Sequence, residues 1–173
     1  KVIRSVVDVK GVGVLATPEV SDLKSPETYL GYDRAENFIS SPKQQPDKKN
    51  IYKMGNKILL NQWGLVGLWI VESERVQSLK SGNKIVFKFH AKDLHLVLGS
   101  ENDKPVAFKV SLDGQEPNDN HGVDVDEKGM GVIRGHRLYQ LIRQRSSDFE
   151  SKDHIFTIEF LEPGAQAFAF TFG

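Results

Sequence analysis

The sequence predicts an all-β fold, an antiparallel β-sandwich of jelly-roll type with an irregular N-terminal connector. Three observations carry this. Apolar residues alternate with polar ones at period two in seven successive stretches, and that period places one face of a strand in a core. Turn residues recur between the stretches at intervals of roughly ten residues. No amphipathic helical pattern of useful length occurs after residue 58, which argues against helices packed on a sheet.

The elements are taken in chain order. In KVIRSVVDVK, Val2, Ile3, Val6 and Val7 share one side at helical spacing, while their β-branching favours a strand. Both readings stand, the end of a helix or an edge strand. Residues 17–57 carry Pro18, Pro26, Pro42 and Pro46 among many polar residues and predict a wrapped connector, with SSPKQQPDKKN as an exposed loop. The aromatics between Tyr29 and Phe38 call for packing, through a short helical or hairpin piece. From residue 58 the texture is strand and turn. Leu65, Gly67, Trp69 and Val71 alternate with their neighbours, then Ile85, Phe87 and Phe89, then Leu94, Leu96 and Leu98. Val106, Phe108, Val110 and Leu112 come after these, then Tyr139 and Leu141 opposite Leu138 and Gln140. Phe156, Ile158 and Phe160 are next, and Phe168, Phe170 and Phe172 read as a last inward stripe. Ser81-Gly82-Asn83, Gly99-Ser100, Asp113-Gly114, Lys128-Gly129 and Pro163-Gly164 supply the turns. About nine strands are expected, and no internal repeat suggests a propeller or solenoid.

The totals limit the function. With 23 basic and 23 acidic residues the chain has no formal net charge, whereas a protein gripping phosphate backbones carries a basic excess; nucleic acid is not the expected partner. The chain contains no cysteine, which excludes disulfides, thiol catalysis and thiolate metal sites. No apolar run approaches the ~20 residues of a membrane-crossing helix, so no membrane insertion by this chain is expected. It begins at Lys1 without a signal peptide, and is expected to be a piece of a larger protein whose targeting segment lies upstream.

Several motifs occur together in one order. They are Glu27-Thr28-Tyr29-Leu30-Gly31-Tyr32-Asp33-Arg34-Ala35-Glu36-Asn37-Phe38, then Trp63, Leu65, Gly67 and Trp69, then Phe89-His90-Ala91-Lys92 with Leu96-Val97-Leu98. Leu112-Asp113-Gly114, Arg137-Leu138-Tyr139-Gln140-Leu141 and the closing Ala167-Phe168-Ala169-Phe170-Thr171-Phe172-Gly173 complete the set. Over residues 24–173 the chain resembles the C-terminal domain of DipZ-like proteins. These are bacterial extracytoplasmic members of the thioredoxin and thiol–disulfide isomerase family, often fused to a membrane domain of the cytochrome c biogenesis type. The resemblance implies a jelly roll similar to galactose-binding and carbohydrate-binding modules, placed after a covalently linked thioredoxin-like domain outside the cytoplasm. Residues 1–23 then read as the tail of that domain or a linker, 24–57 as the connector and 58–173 as the sandwich. The redox-active cysteine pair of that thioredoxin domain is absent here, so this chain does not exchange disulfides itself.

Binding, not bond breaking, is therefore the expected chemistry, with a glycan as the candidate ligand and no cofactor. Flat aromatic faces suit the C–H face of a sugar ring, and polar neighbours read its hydroxyls. Trp63, Trp69, Tyr32 and Tyr139 are the candidate platforms, each also explicable as core, and Arg137 is a candidate for a hydroxylated or anionic ligand or else an ion pair. Tyr29, Tyr32, Arg34, Glu36 and Phe38 form a candidate seam to the neighbouring domain, with a self-paired surface turn as the alternative. The loop Asp113–Gly131 is rich in oxygen ligands, but lacks the order of an EF-hand; a solvated loop is the default and calcium the minor reading. His90, His95, His121, His136 and His154 show no metal-ligand spacing, although His90 and His95 could meet across a hairpin. No nucleophile elbow or phosphate loop occurs, and no two carboxylates are singled out for glycoside hydrolysis.

Overall fold

The computed structural model describes residues 25–145 and 152–173. The expectations for Val2 to Val7, and for residues 1–23 as a tail or linker, lie outside the described residues.

Two layers face each other. One is built from β8 (Met130–Ile133), β7 (Val106–Leu112), β10 (His154–Phe160), β5 (Asn83–Phe89) and the first half of β3 (Trp63–Val71), in that order. The other runs from the second half of β3 through β4 (Val76–Ser78), β11 (Ala165–Phe172) and β6 (Asp93–Ser100) to β9 (Arg137–Arg143). All pairings between named strands are antiparallel. The expected all-β jelly-roll sandwich is what the chain forms. The alternation read from the sequence is the reason: Ile85, Phe87, Phe89, Leu94, Leu96, Leu98, Phe108, Phe156, Ile158 and Phe160 all lie fully buried between the layers. Rings interlock across the gap, with Phe87 and Phe156 of one layer 4.9 and 5.9 Å from Phe170 of the other.

Strand β3 serves both layers. Its pairing with β5 ends at Val66 and its pairing with β4 begins at Trp69. The change of layer falls at Gly67, whose φ of +109° suits glycine alone. A side chain at Gly67 would overlap Asn83 Oδ1. Asn83 instead fills the corner. Its Oδ1 accepts the Leu68 N–H at 3.1 Å, and its amide donates to the Leu68 carbonyl and, at 3.0 Å, to Ser78 Oγ. One side chain thus supplies the ladder bonds that the strand loses as it bends.

The connector is laid on this frame as added strand. β1 (Thr28–Tyr29) pairs with β11, and β2 (Lys49–Tyr52) pairs with β3. Ser41 and Lys53 close the intervening loop with mutual backbone bonds of 2.8 and 2.9 Å. Phe38 docks at the start of β3, its ring edge-on to Trp63 at 4.9 Å and to Tyr52 at 5.8 Å. No helix among the described residues is long and apolar enough to cross a membrane.

Candidate functional site

The candidate site originates in a register shift of β11. Ala167 lies opposite Leu98 and Ala169 opposite Val97, so Phe168 is the extra residue of a bulge. A bulge reverses the inward and outward sense of the residues beyond it. Phe170 is therefore buried, while Phe168 turns to the outer face and is only half-buried. The stripe of Phe168, Phe170 and Phe172 read as core is corrected for Phe168. Outside, its ring stacks on His136 at 4.4 Å with 23° between the planes.

Pairing of β1 with β11 brings Tyr29 opposite Ala169, next to this stack. The turn after β1 is fastened to the β3–β4 corner, since Tyr32 N donates to the Glu72 carbonyl and Asp33 N to the Ser73 carbonyl, both at 3.0 Å. That placement lays the Arg34 guanidinium over the Tyr29 ring, 3.6 Å from its centre. Tyr29 Oη donates to Glu27 Oε1 at 2.7 Å, and this bond to a carboxylate, with some desolvation, raises the phenol pKa.

Tyr29, Asp33 and Arg34 form the shared wall of two adjoining cavities. One, of about 430 Å³, is polar, lined further by Glu27, Glu36 and Asn37. The other, of about 400 Å³, is lined further by Ser73, Glu74, Val97, His136 and Phe168. The result is a groove with aromatic faces, one guanidinium and several carboxylates.

The residues expected to make platforms lie elsewhere. Trp63, Trp69 and Tyr139 are fully buried, which corrects their reading as ligand platforms. Trp63 Nε1 donates to the Glu36 carbonyl at 2.8 Å, and Trp69 Nε1 to the Val66 carbonyl at 3.0 Å. Each ring fills the core while a backbone acceptor satisfies its single donor. Tyr139 Oη is spent on the backbone of Arg134 and Gly135. Arg137 lies over the Tyr139 ring at 3.8 Å and bonds Asp124 at 2.9 Å, so its ion-pair alternative describes it. Its partner responds in kind: burial pushes the Asp124 carboxyl up, but Arg137 and the Gln140 N–H together hold it below the usual range. Tyr32 is half-buried, with its hydroxyl tied to Asp47 at 2.8 Å, a bond that raises its pKa.

Of the seam residues, Tyr29, Arg34 and Glu36 line the groove, whereas Phe38 packs inward on Trp63 and Tyr52. The alternative of Arg34 self-pairing with Asp33 or Glu36 gives way to its stack on Tyr29. Phe168, His136, Ser73 and Glu74 are groove residues that sequence reasoning misses. No local signal marks them, because the bulge depends on which residue of β6 meets which residue of β11.

Three carboxylates of the oxygen-rich loop are spent on the protein. Asp113 accepts from His154 and Ile155 N, Asp124 from Arg137 and Gln140 N, and Asp126 from Lys128 N and Met130 N. Among the described residues no three His, Asp or Glu side chains converge as metal ligands. His90 turns to Asp153 at 2.9 Å, while His95 lies beside Thr171 on the outer face.

Comparison with known proteins gives a family. Residues 25–173 match the family described as Thioredoxin like C-terminal domain. No curated protein matches the chain. Two solved structures align with part of the chain. One is a family two carbohydrate esterase from Clostridium thermocellum in complex with cellohexaose, 13% identical, with a TM-score of 0.42 over 58% of this chain and 27% of that one. The other is a family GH115 4-O-methyl-α-glucuronidase with specificity for decorated arabinogalactans, 15% identical, with a TM-score of 0.36 over 58% of this chain and 14% of that one. The present chain thus spans about a quarter and a seventh of their lengths.

Proposed function

The chain belongs to the thioredoxin-like C-terminal domain family, and from that membership we propose that it is a non-catalytic binding module of an extracytoplasmic thiol–disulfide oxidoreductase of the DipZ-like type. The module has no thiol, so redox chemistry resides in the linked thioredoxin-like domain. Its own contribution is to hold a ligand close to that domain, which raises effective concentration without any catalytic contact.

The observation carrying this reading is the bulge at Phe168. It places an apolar ring and its His136 partner on the surface, beside the Tyr29–Arg34 stack and two cavities. A glycan fits this chemistry. Ring faces accept the C–H face of a pyranose, while Asp33, Glu74 and Arg34 offer acceptors and donors to its hydroxyls. The test is a glycan array probed with the intact chain and with Phe168→Ala and Arg34→Ala. Binding of a defined set of sugars, reduced about tenfold or more by either substitution, is the expected result. A uniform blank, or binding indifferent to both substitutions, removes the glycan reading.

A second reading has one observation in its favour. Pro26 and Glu27, close to the start of the described residues, line the first cavity. In that reading the groove is a docking surface for the thioredoxin-like domain, shaping access to its active site, and no soluble ligand exists. Titration of the separate thioredoxin domain, with NMR shifts at Tyr29 and Arg34 and a blank array, is the outcome that selects it.

A further inference from the structure

The chain is neutral as a whole, but its charge is unevenly spread. Between residues 43 and 57 stand five lysines, Lys43, Lys48, Lys49, Lys53 and Lys57, against one carboxylate, Asp47. Among the described residues none of the five is in an ion pair. Asp47 is already engaged, accepting from Tyr32 Oη at 2.8 Å.

Strand β2 orders part of that charge. Tyr52 is fully buried, while Lys49, Ile51 and Lys53 are exposed. Period two sets these three on one outward face, about 7 Å apart. Register extends the face onto β3, since Ile51 lies opposite Leu68 and Lys49 opposite Ile70. Trp69 and Val71 are fully buried, so the half-buried Leu68 and Ile70 share the outer side with Ile51. The acid that follows β3, Glu72, is paired with Arg75 at 2.6 Å. The face is therefore an aliphatic cluster flanked by lysines.

Lysine on an edge strand keeps that edge from pairing with another chain. This accounts for Lys49 and Lys53, but Ile51, 61% exposed between them, works against it. Single exposed aliphatics are common; this one continues into two more on the neighbouring strand. Such a face calls for a partner that is both apolar and anionic, and an anionic bilayer is both. The cations are all lysine, with no arginine between residues 43 and 57. Protein interfaces deplete lysine and enrich arginine, whereas lysines beside apolar groups suit anionic lipid headgroups.

We propose that the outer face of β2 and β3 docks on an anionic phospholipid surface, with Ile51 in the headgroup layer and Lys49 and Lys53 on the lipid phosphates. Lys43, Lys48 and Lys57, on the flanking loops, add to the field that draws the face in. The domain lies on the bilayer and does not span it. The groove at Phe168 shares none of these residues.

The experiment is co-sedimentation of the intact chain with vesicles of phosphatidylcholine and phosphatidylglycerol in equal parts, and with phosphatidylcholine vesicles alone. It is run at about 0.1 M and about 1 M salt, where the screening length falls from about 10 Å to about 3 Å. Binding to the anionic vesicles only, lost at the higher salt, is the expected result. Lys49→Gln and Lys53→Gln should each weaken it about threefold to fivefold. Ile51→Thr keeps a β-branched residue on the strand and should weaken it by a similar factor. Lys109→Gln removes an exposed lysine from the opposite layer and should leave it unchanged. No binding to either vesicle, or equal binding to both, overturns the proposal. Binding indifferent to Ile51→Thr, or as sensitive to Lys109→Gln as to Lys49→Gln, overturns the face. Capture of poly-glutamate in place of vesicles makes the partner an acidic polypeptide and overturns the bilayer. None of these outcomes bears on the groove.

Discussion

Replacing Asn83 by alanine should destabilise the sandwich far more than the loss of one polar residue normally does. The side chain is 4% exposed and makes three bonds at the corner where β3 changes layer, two to the backbone of Leu68 and one to Ser78 Oγ. Each is worth about 1 kcal/mol net, and the orphaned Leu68 N–H adds desolvation. The Leu68 carbonyl keeps its bond from Leu79 N at 3.0 Å, and Leu68 is half-buried, so water recovers part of the loss. The sum is about 2–3 kcal/mol, which for a domain of this size lowers Tm by about 4–12 °C. Asn83→Asp should fare no better, despite its near-identical shape. It keeps the acceptor for Leu68 N–H, but sets a second oxygen against the Leu68 carbonyl. Thermal melts of wild type, Asn83→Ala and Asn83→Asp read this directly. A loss under 2 °C for alanine, or full stability for aspartate, would refute the account of the corner.

Three further outcomes rest on particular residues. Phe170→Ala should cost about 3–5 kcal/mol and Phe168→Ala about 1 kcal/mol, since only Phe170 is fully buried; chemical denaturation of the pair checks which ring the bulge turns out. His95 titrates below its ordinary 6.5, chiefly through burial. Its unfolded form binds protons first, so it contributes stability above pH ~6.5 that is lost as pH falls toward its lower folded value, and His95→Gln should flatten that limb of a Tm–pH profile. Asp124 also has a lowered folded pKa, held down by Arg137 and Gln140 against the opposing effect of burial. Its contribution is present above pH ~3.8 and lost as acid protonates the folded carboxyl; Asp124→Asn should cost about 1–2 kcal/mol at neutral pH and remove that dependence, read by denaturation at pH 7 and pH 3.

The strands are legible in the sequence because a pleated strand writes its burial into alternate letters. Val106, Phe108 and Val110 on β7, and Phe156, Ile158 and Phe160 on β10, fall on the correct face without any knowledge of their partners. The aromatics are harder. Trp63 and Tyr139 carry a polar handle on an apolar body, and one sequence cannot say whether that handle meets water or a carbonyl. Trp63 meets the Glu36 carbonyl because the connector folds back over the start of β3, a contact between residues 27 positions apart. Arg34, by contrast, stands where the sequence puts it, among the surface groups, since its turn is short and polar.

Composition and periodicity alone determined that this chain is all-β, lacks any thiol and buries one face of each strand, because these properties depend on residue type and on spacing within a strand. Register decided the rest. Whether Phe168 fills the core or meets a ligand depends on one extra residue between two pairs of β11 and β6. Likewise, Gln144 and His154, 10 positions apart in the chain, line one cavity of about 420 Å³ only in the folded sandwich. Such facts are relations between strands, and strand pairing is settled by the packing of the whole sandwich.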